Sequence, residues 1–345
     1  MRTRSRLGVD IGSTYIKCVE VTRRGRNLAV TAVGKTATPK GAVQKGSLAN
    51  PLAVAEALKG LLGELDINSK ATVLGINSPD VIVRSHRIPA MKDKEIGKAL
   101  EFEVPELVNF PVDTLRDVSY DFHVLHRDPS ETELLFVACR RTLLDPFLAC
   151  LKEVGLEVAV VDLQAFNWPR LFSTPQKVVC LVDLGDEQTS VYVELEGVYK
   201  VYRILPIGGG HLTQAIMQAF GCSTAEARQL KETKDLDFLL TKGTGQASML
   251  RSVFEQFIAG VLQTLDFLRA QERSSHIREV LDGLCLIGGL AHLKGLQPVL
   301  QQEIDLNVAV LNPFENTATA EGVEVPADHA SYASALALAI RGFEE

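Results

Sequence analysis

Two aspartates lie at the ends of two apolar segments, and a glycine follows each of them two residues later. Asp10 follows the apolar residues 7–9, and Asp183 follows the apolar residues 178–182. A second apolar segment leaves each turn, so both patterns predict a β-hairpin. Mg²⁺ is bound by a few carboxylates together with water and phosphate oxygens. Asp10 and Asp183 are therefore candidates to hold Mg²⁺ through water.

The residues of the two turns suit a polyphosphate. Glycine lets the backbone approach a ligand closely, and successive N–H groups with nearby hydroxyls form an anion nest. Lys17, in the strand that leaves the first turn, is placed to neutralise negative charge. Because the design occurs twice, we expect the two hairpins to face each other across a cleft. The candidate phosphate-binding residues of the hairpins are Gly12, Ser13, Thr14, Lys17, Gly185 and Thr189.

Two further glycine-containing segments fit the same ligand. Gly288 and Gly289 follow the short apolar strand 284–287 and lead into a predicted helix, as a loop at the edge of a nucleotide would. The glycines at 208–210 precede a predicted helix over 212–220, whose first N–H groups favour an anion. A flexible turn is the alternative for that segment. The candidates from these segments are Gly208, Gly209 and Thr213 for phosphate, and Gly288 and Gly289 for the adenine or ribose.

Length and composition predict a two-lobed protein. The chain has 345 residues, which exceeds the size at which a single core usually stops growing. The net charge of −7 gives no general attraction to nucleic acid or anionic lipid. The sequence contains neither an apolar stretch of the ~20 residues that span a bilayer nor a signal-peptide pattern. We therefore expect a cytoplasmic protein that binds no nucleic acid and does not insert into the membrane directly.

The order of the predicted elements divides the chain into three parts. From residue 81 the pattern reads strand, helix, strand, strand, helix, strand, which predicts a compact βαββαβ unit. We interpret residues 81–163 as an inserted subdomain, residues 1–80 with 164–176 as the first lobe, and residues 177–345 as the second lobe, with 224–259 as its small subdomain.

These motifs, in this order, resemble the actin-like ATPase superfamily, which includes actin, the heat-shock chaperones, sugar kinases and the bacterial protein FtsA. Within the superfamily the chain is most similar to the PilM family of type IV pilus assembly proteins. The segment Asn109-Phe110-Pro111-Val112-Asp113, after a Glu-rich helix, is the most diagnostic match, because actin, the chaperones and sugar kinases have no counterpart to it. The other matches are Leu7 to Lys17, Val161 to Leu163, the second hairpin, Gly208 to Phe220 and the loop at Gly288.

The resemblance implies an α/β actin-like ATPase fold with two duplicated lobes, and ATP with Mg²⁺ as cofactors. It also implies a scaffold at the inner face of the cytoplasmic membrane, brought there by a partner. That partner is the cytoplasmic N-terminal peptide of the bitopic membrane protein PilN, which docks in a groove near the inserted subdomain. The pilus assembly ATPases and the platform protein are further partners that the resemblance implies.

One departure from the family pattern affects the adenosine side of the site. The resemblance implies that Glu226 accepts a hydrogen bond from a ribose hydroxyl. The family's Ala-Glu-x-x-Lys helix has a lysine where this chain has Gln229, so Arg228 and Lys231 are the alternatives for the basic contact.

Hydrolysis requires a group that orients water beside the γ-phosphate. Glu187 and Gln188 are the candidates, and exposed polar residues of a solvated turn are the alternative interpretation. We therefore expect a nucleotide-gated scaffold with at most weak ATPase activity. A small-molecule kinase of the sugar-kinase type needs a base aimed at a substrate hydroxyl, and no aspartate outside the hairpins stands out. An FtsA-like cell-division ATPase carries an amphipathic membrane-binding helix after a linker, whereas this sequence stops at Glu345.

Overall fold

A computed structural model describes residues 4–67, 69–172, 176, 178–242 and 247–344. The first lobe begins with three antiparallel strands, because tight turns at residues 12–14 and 25–26 join three successive strand segments. A short strand pair and a helix then lead to a strand that pairs in parallel with the first. These elements are β1 (Arg4–Ile11), β2 (Tyr15–Arg24), β3 (Asn27–Ala37), β4 (Val43–Gln44), β5 (Ser47–Leu48), α1 (Pro51–Glu64) and β6 (Ala71–Ile76).

The chain then forms a separate antiparallel sheet of three strands with one helix packed against it. The helix is amphipathic and buries Ile96, Leu100 and Val104 on the sheet. Its elements are β7 (Ile82–Pro89), α2 (Asp93–Leu107), β8 (Val118–Arg127) and β9 (Glu131–Arg140). The strand order is β7-β9-β8, so β8 lies at an edge.

The predicted inserted unit of residues 81–163 is longer than this separate sheet. Its last two elements, α3 (Arg141–Glu153) and β10 (Glu157–Leu163), belong to the first lobe. β10 pairs in parallel with β6, and the apolar face of α3 packs into the same core as α1. The sequence pattern gave the correct element types, but strand pairing alone decides which sheet a strand joins.

The second lobe repeats the plan of three antiparallel strands followed by helices and parallel strands. Its elements are β11 (Val178–Leu184), β12 (Thr189–Leu195), β13 (Val198–Leu205), α4 (Gly209–Phe220), α5 (Thr224–Thr233), α6 (Leu236–Lys242), α7 (Ala247–Gln271), β14 (Gly283–Ile287), α8 (Leu296–Ile304) and β15 (Asn307–Val310). The strand order is β13-β12-β11-β14-β15. In the first lobe the order is β10-β6-β1-β2-β3-β16, where β16 is Ala318–Thr319.

The C-terminal helix α9 (Ala333–Arg341) packs on the first lobe, although the predicted second lobe extends to residue 345. Its buried face is built of alanines, which permits close approach to β1. A Cβ atom at Gly8 would lie 2.6 Å from the backbone nitrogen of Ala339, so only glycine fits there. Among the described residues, no helix is both long and apolar enough to cross a bilayer.

Candidate functional site

The two predicted hairpins, β1–β2 and β11–β12, line the same cleft of about 420 Å³ between the lobes. Their turns have the same tight geometry. A Cβ atom on Gly12 would lie 3.0 Å from the carbonyl oxygen of Tyr15, and one on Gly185 would lie 2.7 Å from that of Gln188. The repeated sequence therefore produces a repeated backbone turn that leaves no room for a side chain.

Asp10, at the end of β1, is held by two neighbours. It lies opposite Lys17 in the β1–β2 register, and the Lys17 Nζ donates to Asp10 Oδ2 at 2.9 Å. The Nε2 of Gln164 donates to the other carboxylate oxygen at 2.8 Å. Gln164 follows β10 directly, so its contact with Asp10 depends on the tertiary pairing of β10 with β6. The sequence pattern gives no signal for this contact.

Asp183 occupies the matching position in the second hairpin, and no side chain among the described residues donates a hydrogen bond to its carboxylate. Burial, together with the charge of Asp10, raises the pKa of Asp183 to about 7, and Lys17 only partly opposes this. Burial lowers the pKa of Lys17, but the carboxylates of Asp10 and Asp183 outweigh that effect, so its pKa is raised. A half-buried carboxylate without a counter-ion of its own is the environment that a cation stabilises.

The donor set fits a cation that arrives with a phosphate ligand. In the part of the chain that the structure describes, there is no group of three or more His, Cys, Asp or Glu side chains that could hold a metal ion. Mg²⁺ usually keeps several waters and takes few carboxylates when phosphate oxygens are present. Asp10 and Asp183 would thus hold Mg²⁺ only together with water and a bound polyphosphate.

The first turn offers donors for that polyphosphate. Ser13 and Thr14 line the cleft, and their hydroxyls have no hydrogen-bond partner among the described residues. Of the residues predicted for the site, twelve line the cleft: Asp10, Gly12, Ser13, Thr14, Lys17, Asp183, Gly185, Glu187, Gln188, Gly209, Gly288 and Gly289.

Four predicted residues lie outside this lining. The buried hydroxyl of Thr189 donates to the carbonyl oxygen of Ile207 at 2.8 Å, so it stabilises the second lobe internally. The carboxylate of Glu226 accepts from the backbone N and the hydroxyl of Ser223 at 2.8 and 2.7 Å. It is the reciprocal member of a capping box at the start of α5. Gly208 and Thr213 are the other two.

The glycines at the start of α4, where the sequence predicts an anion site, pack against the second hairpin. The N–H of Gly209 donates to Gly185 O at 2.9 Å, and that of Gly210 donates to Asp186 O at 2.7 Å. Gly208 donates to the Nδ1 of His211 at 3.1 Å. Because these N–H groups already have protein acceptors, the start of α4 has few free donors for a phosphate.

Lys231 is the basic group that reaches the cleft from α5. Its Nζ donates to Thr213 Oγ1 at 2.8 Å and to Gly209 O at 3.0 Å. Burial lowers the pKa of Lys231, and the charge of Asp186 opposes that shift. Arg228 lines the cleft as well, so both alternatives for the missing family lysine are at the site. Thr213 therefore positions Lys231.

The two candidate hydrolytic residues connect the lobes. The Glu187 carboxylate accepts from the backbone N of Lys45 in the first lobe, and the Gln188 Nε2 donates to Asn77 O at 3.0 Å. Asn77 also accepts from the Tyr202 hydroxyl at 2.9 Å and donates to Ser190 Oγ at 3.1 Å. The side chains of Glu187 and Gln188 thus each use one polar atom to connect the lobes.

The cleft also contains a group of polar residues that the sequence pattern did not predict. Lys35 lies beside Lys17 in the β2–β3 register and forms an ion pair with Asp328, and both line the cleft. The Nε2 of His292 accepts from the backbone N of Ala330 at 3.3 Å. Lys35 and Asp328 are 293 residues apart, and His292 and Ala330 are 38 residues apart. Local spacing in the sequence therefore gives no signal for these contacts.

The two glycines of the 288–289 loop have different roles, and substitutions should separate them. Gly288 has a φ of 89°, and a Cβ there would lie 2.7 Å from the N of Leu184. Gly288→Val should therefore destabilise the fold by several kcal/mol.

Gly289 lines the cleft and has open space at its Cβ position. We expect Gly289→Val to keep the wild-type melting temperature and to lose ~10-fold or more in nucleotide affinity. Calorimetric titration with thermal melts checks this, and normal ATP binding by Gly289→Val would remove the loop from the site.

Three comparisons with known proteins agree with the geometry. The profile of the family described as "Type IV pilus assembly protein PilM" matches residues 8–343. A chain of the solved PilM–PilN type IV pilus biogenesis complex is 27% identical and superposes with a TM-score of 0.84 over 99% of both chains. The ethanolamine utilization protein EutJ of Carboxydothermus hydrogenoformans shares the fold, with 14% identity and a TM-score of 0.54 over 99% of this chain and 90% of that one.

Two proteins named cell division protein FtsA are also similar to this chain, with lower sequence identity than the chain of the PilM–PilN complex. FtsA of Pseudomonas aeruginosa is 22% identical over 360 residues, which cover 93% of this chain and 86% of that protein. FtsA of Bacillus subtilis is 26% identical over 202 residues, which cover 53% of this chain and 45% of that protein.

The α/β actin-like fold that the resemblance implies is confirmed by these neighbours. The family match extends over both lobes and the separate three-stranded sheet, so it includes every element that lines the cleft. The chain belongs to the PilM family of type IV pilus assembly proteins.

Proposed function

We propose that this protein is an ATP-binding scaffold that grips the cytoplasmic peptide of a PilN-like membrane protein. The observation that carries the nucleotide half is the arrangement of Asp10 and Asp183 on facing hairpins. Beside them are the hydroxyls of Ser13 and Thr14, which have no hydrogen-bond partner in the described part of the chain. Mg²⁺ would supply charge neutralisation between these carboxylates and the phosphates. Since Glu187 and Gln188 are engaged between the lobes, we propose at most weak ATPase activity.

A second and larger depression, of about 870 Å³, supports the peptide half. It lies between the separate sheet, the first lobe and strands β11–β13 of the second lobe. β8 is an edge strand of the three-stranded sheet, and β10 is an edge strand of the six-stranded sheet. Both edges line the groove, through residues 119–125 and 160–163. Edge strands present unpaired N–H and C=O groups, which an extended peptide can pair with.

The groove walls offer apolar contacts beside these edges. Val161 is 39% exposed and Val198 is 41% exposed, and both line the groove with Phe166. No residue of α2 is in the lining, although its Phe102 is 84% exposed. We therefore propose that β8, and not the outer face of α2, is the part of the separate unit that holds the peptide.

The similarity to a chain of the PilM–PilN complex supports the choice of occupant. A peptide from a bitopic protein would bring this chain to the inner face of the membrane. The bound scaffold could then link the membrane protein to the pilus motor, that is, to the assembly ATPases and the platform protein.

Strand β12 connects the cleft to the groove, so the two sites should be coupled. Alternate residues of a strand share a face, and on β12 Ser190 contacts Asn77 while Tyr192 and Glu194 line the groove. Asn77 itself lines the cleft. A ligand that closes the lobes around Asn77 would therefore shift β12 on the groove side as well.

This coupling gives a prediction for Asn77→Ala. In the wild-type protein, we expect Mg-ATP to change the peptide affinity by roughly fivefold or more, as typical coupling free energies do. Asn77→Ala removes the side-chain contacts with Ser190 and Tyr202 and keeps the backbone carbonyl that accepts from Gln188. The ratio of peptide affinities with and without Mg-ATP should therefore fall towards one. Peptide titrations with and without Mg-ATP measure this ratio. An unchanged ratio in the variant would contradict the route through Asn77.

The direct test uses the synthetic N-terminal cytoplasmic peptide of the PilN-like partner. Calorimetry should show binding of this peptide and none of a scrambled peptide of the same composition. Hydrogen exchange should then show increased protection of backbone amides in β8 or β10, since strand addition pairs them. Binding without added protection in either strand would refute docking in this groove. Failure of the peptide to bind at all would refute the scaffold function.

A further inference from the structure

Arginines are concentrated at one end of the central strands β1 and β2 of the six-stranded sheet, the end opposite the cleft. Four of them are exposed at the start of β1, the end of β2 and the turn into β3, and one is half-buried in β1. We call this set the arginine edge: Arg4, Arg6, Arg23, Arg24 and Arg26. The whole chain has a net charge of −7, so the edge is a local reversal of the overall charge.

Two members of the arginine edge have a structural role. The Nε of Arg6 donates to Gly342 O at 2.8 Å, and the Nη1 of Arg23 donates to Phe343 O at 3.2 Å. These bonds stabilise the C-terminal end of α9, where cations are favourable. The guanidinium groups of Arg4, Arg24 and Arg26 make no hydrogen bond or ion pair with the residues that the structure describes.

The register of the strands brings like charges together. Arg4 lies directly opposite Arg23 in the β1–β2 pair. Like charges directly opposite each other destabilise an antiparallel pair. A bound anion would remove this repulsion, and the planar guanidinium group binds phosphate through two parallel hydrogen bonds.

The arginine edge adjoins the proposed peptide groove through the C-terminal segment 341–344. Arg341 donates to Asp162 Oδ2 at 3.3 Å, and Arg170 forms an ion pair with Glu344 at 2.6 Å. Asp162, Arg170 and Arg341 line the groove. The next two residues of the chain, Gly342 and Phe343, accept from the arginine edge. Since consecutive Cα atoms are ~3.8 Å apart, the two surfaces lie within roughly 10 Å of each other.

We propose that the arginine edge binds anionic phospholipid headgroups beside the docked peptide. This inference rests on the proposed function, because a peptide that belongs to a membrane protein places the end of the groove close to the bilayer. The net negative charge opposes binding at long range, but charges beyond ~10 Å are screened. Tethering by the peptide raises the local concentration of lipid, so a weak patch can contribute. Each arginine near an anionic surface should add roughly fivefold to the partition coefficient.

The test couples the partner peptide to vesicles through a lipid anchor and measures binding of the full-length protein. Vesicles of phosphatidylcholine are compared with vesicles that also contain phosphatidylglycerol. The variant Arg4→Glu/Arg24→Glu/Arg26→Glu spares the two arginines that contact the end of α9. The control variant Lys59→Glu/Lys94→Glu/Arg251→Glu makes the same charge change at exposed residues elsewhere.

We expect the arginine variant to match the wild type on phosphatidylcholine and with soluble peptide, and to bind phosphatidylglycerol vesicles roughly 100-fold more weakly. The control variant should lose much less affinity for phosphatidylglycerol vesicles. Added salt should reduce the difference in affinity between the wild type and the arginine variant. Equal binding of wild type and arginine variant to phosphatidylglycerol vesicles would overturn the proposal, while normal binding of soluble peptide would leave the peptide function intact. If the wild type failed to bind the soluble peptide, the proposed function would fail. Vesicles without peptide would then decide the lipid proposal by the same comparison.

Discussion

Asp183→Asn is expected to weaken Mg-ATP binding by ~10–100-fold, as the loss of a charge-assisted contact does. The same change should stabilise the ligand-free protein at pH 8. The pKa of Asp183 is about 7 in the folded protein, above its ordinary value near 4. The folded state therefore holds the proton more tightly than the unfolded state, and stability is lost as the pH rises through 7. Asparagine stays neutral and avoids that loss.

The pH dependence separates this effect from general stabilisation. At pH 8 without Mg²⁺, the gain should be ~1–3 kcal/mol, and at pH 4 it should vanish because Asp183 is then protonated in the wild type. Asp282→Asn is a matched control, since Asp282 is exposed and precedes the neighbouring strand β14. Thermal melts at both pH values, with and without Mg-ATP, measure these differences. A variant that is equally stabilised at pH 4 and pH 8 would contradict the electrostatic explanation.

Val161→Asp is expected to weaken binding of the PilN-like peptide by ~100-fold or more and to leave nucleotide affinity unchanged. Val161 lies on the edge strand β10 and lines the groove, but it does not line the cleft. A carboxylate at this position would be buried under the peptide without a partner, which costs several kcal/mol.

Phe102→Asp provides the matched control for this prediction. Phe102 is the more exposed of the two side chains, at 84% against 39% for Val161, and it lies on α2 outside the groove lining. Calorimetry of both variants with the peptide and with Mg-ATP should show a loss only for Val161→Asp with the peptide. If Phe102→Asp weakened peptide binding as much as Val161→Asp does, the docking surface would be α2, and the groove assignment would be wrong.

The sequence by itself determined the parts of the site that depend on neighbouring residues. The Asp-x-Gly turns form two tight hairpins because each glycine faces a carbonyl oxygen three residues later, as at Gly12 and Tyr15. The pairing of Asp10 with Lys17 follows from the hairpin register alone. Because the turn pattern occurs twice, the two hairpins on one cleft were also predictable, and the resemblance to a known family implied the actin-like fold.

Residues with two possible local roles were assigned only by the tertiary structure. Glu226 can cap its own helix or contact a ribose, and in the fold its carboxylate caps α5. Thr213 contacts Lys231, and the glycines at the start of α4 contact the second hairpin. A local pattern shows that a donor or acceptor is present, but the fold decides which partner is closest.

Contacts between distant segments were also beyond the sequence pattern. β10 reads as the last strand of the inserted unit, yet it pairs with β6 and thereby places Gln164 beside Asp10. The same pairing leaves β10 as an edge strand facing β8, which creates the peptide groove. Strand periodicity determines which side chains share a face, whereas the partner strand is selected by packing over the whole chain, and the groove exists only after that selection.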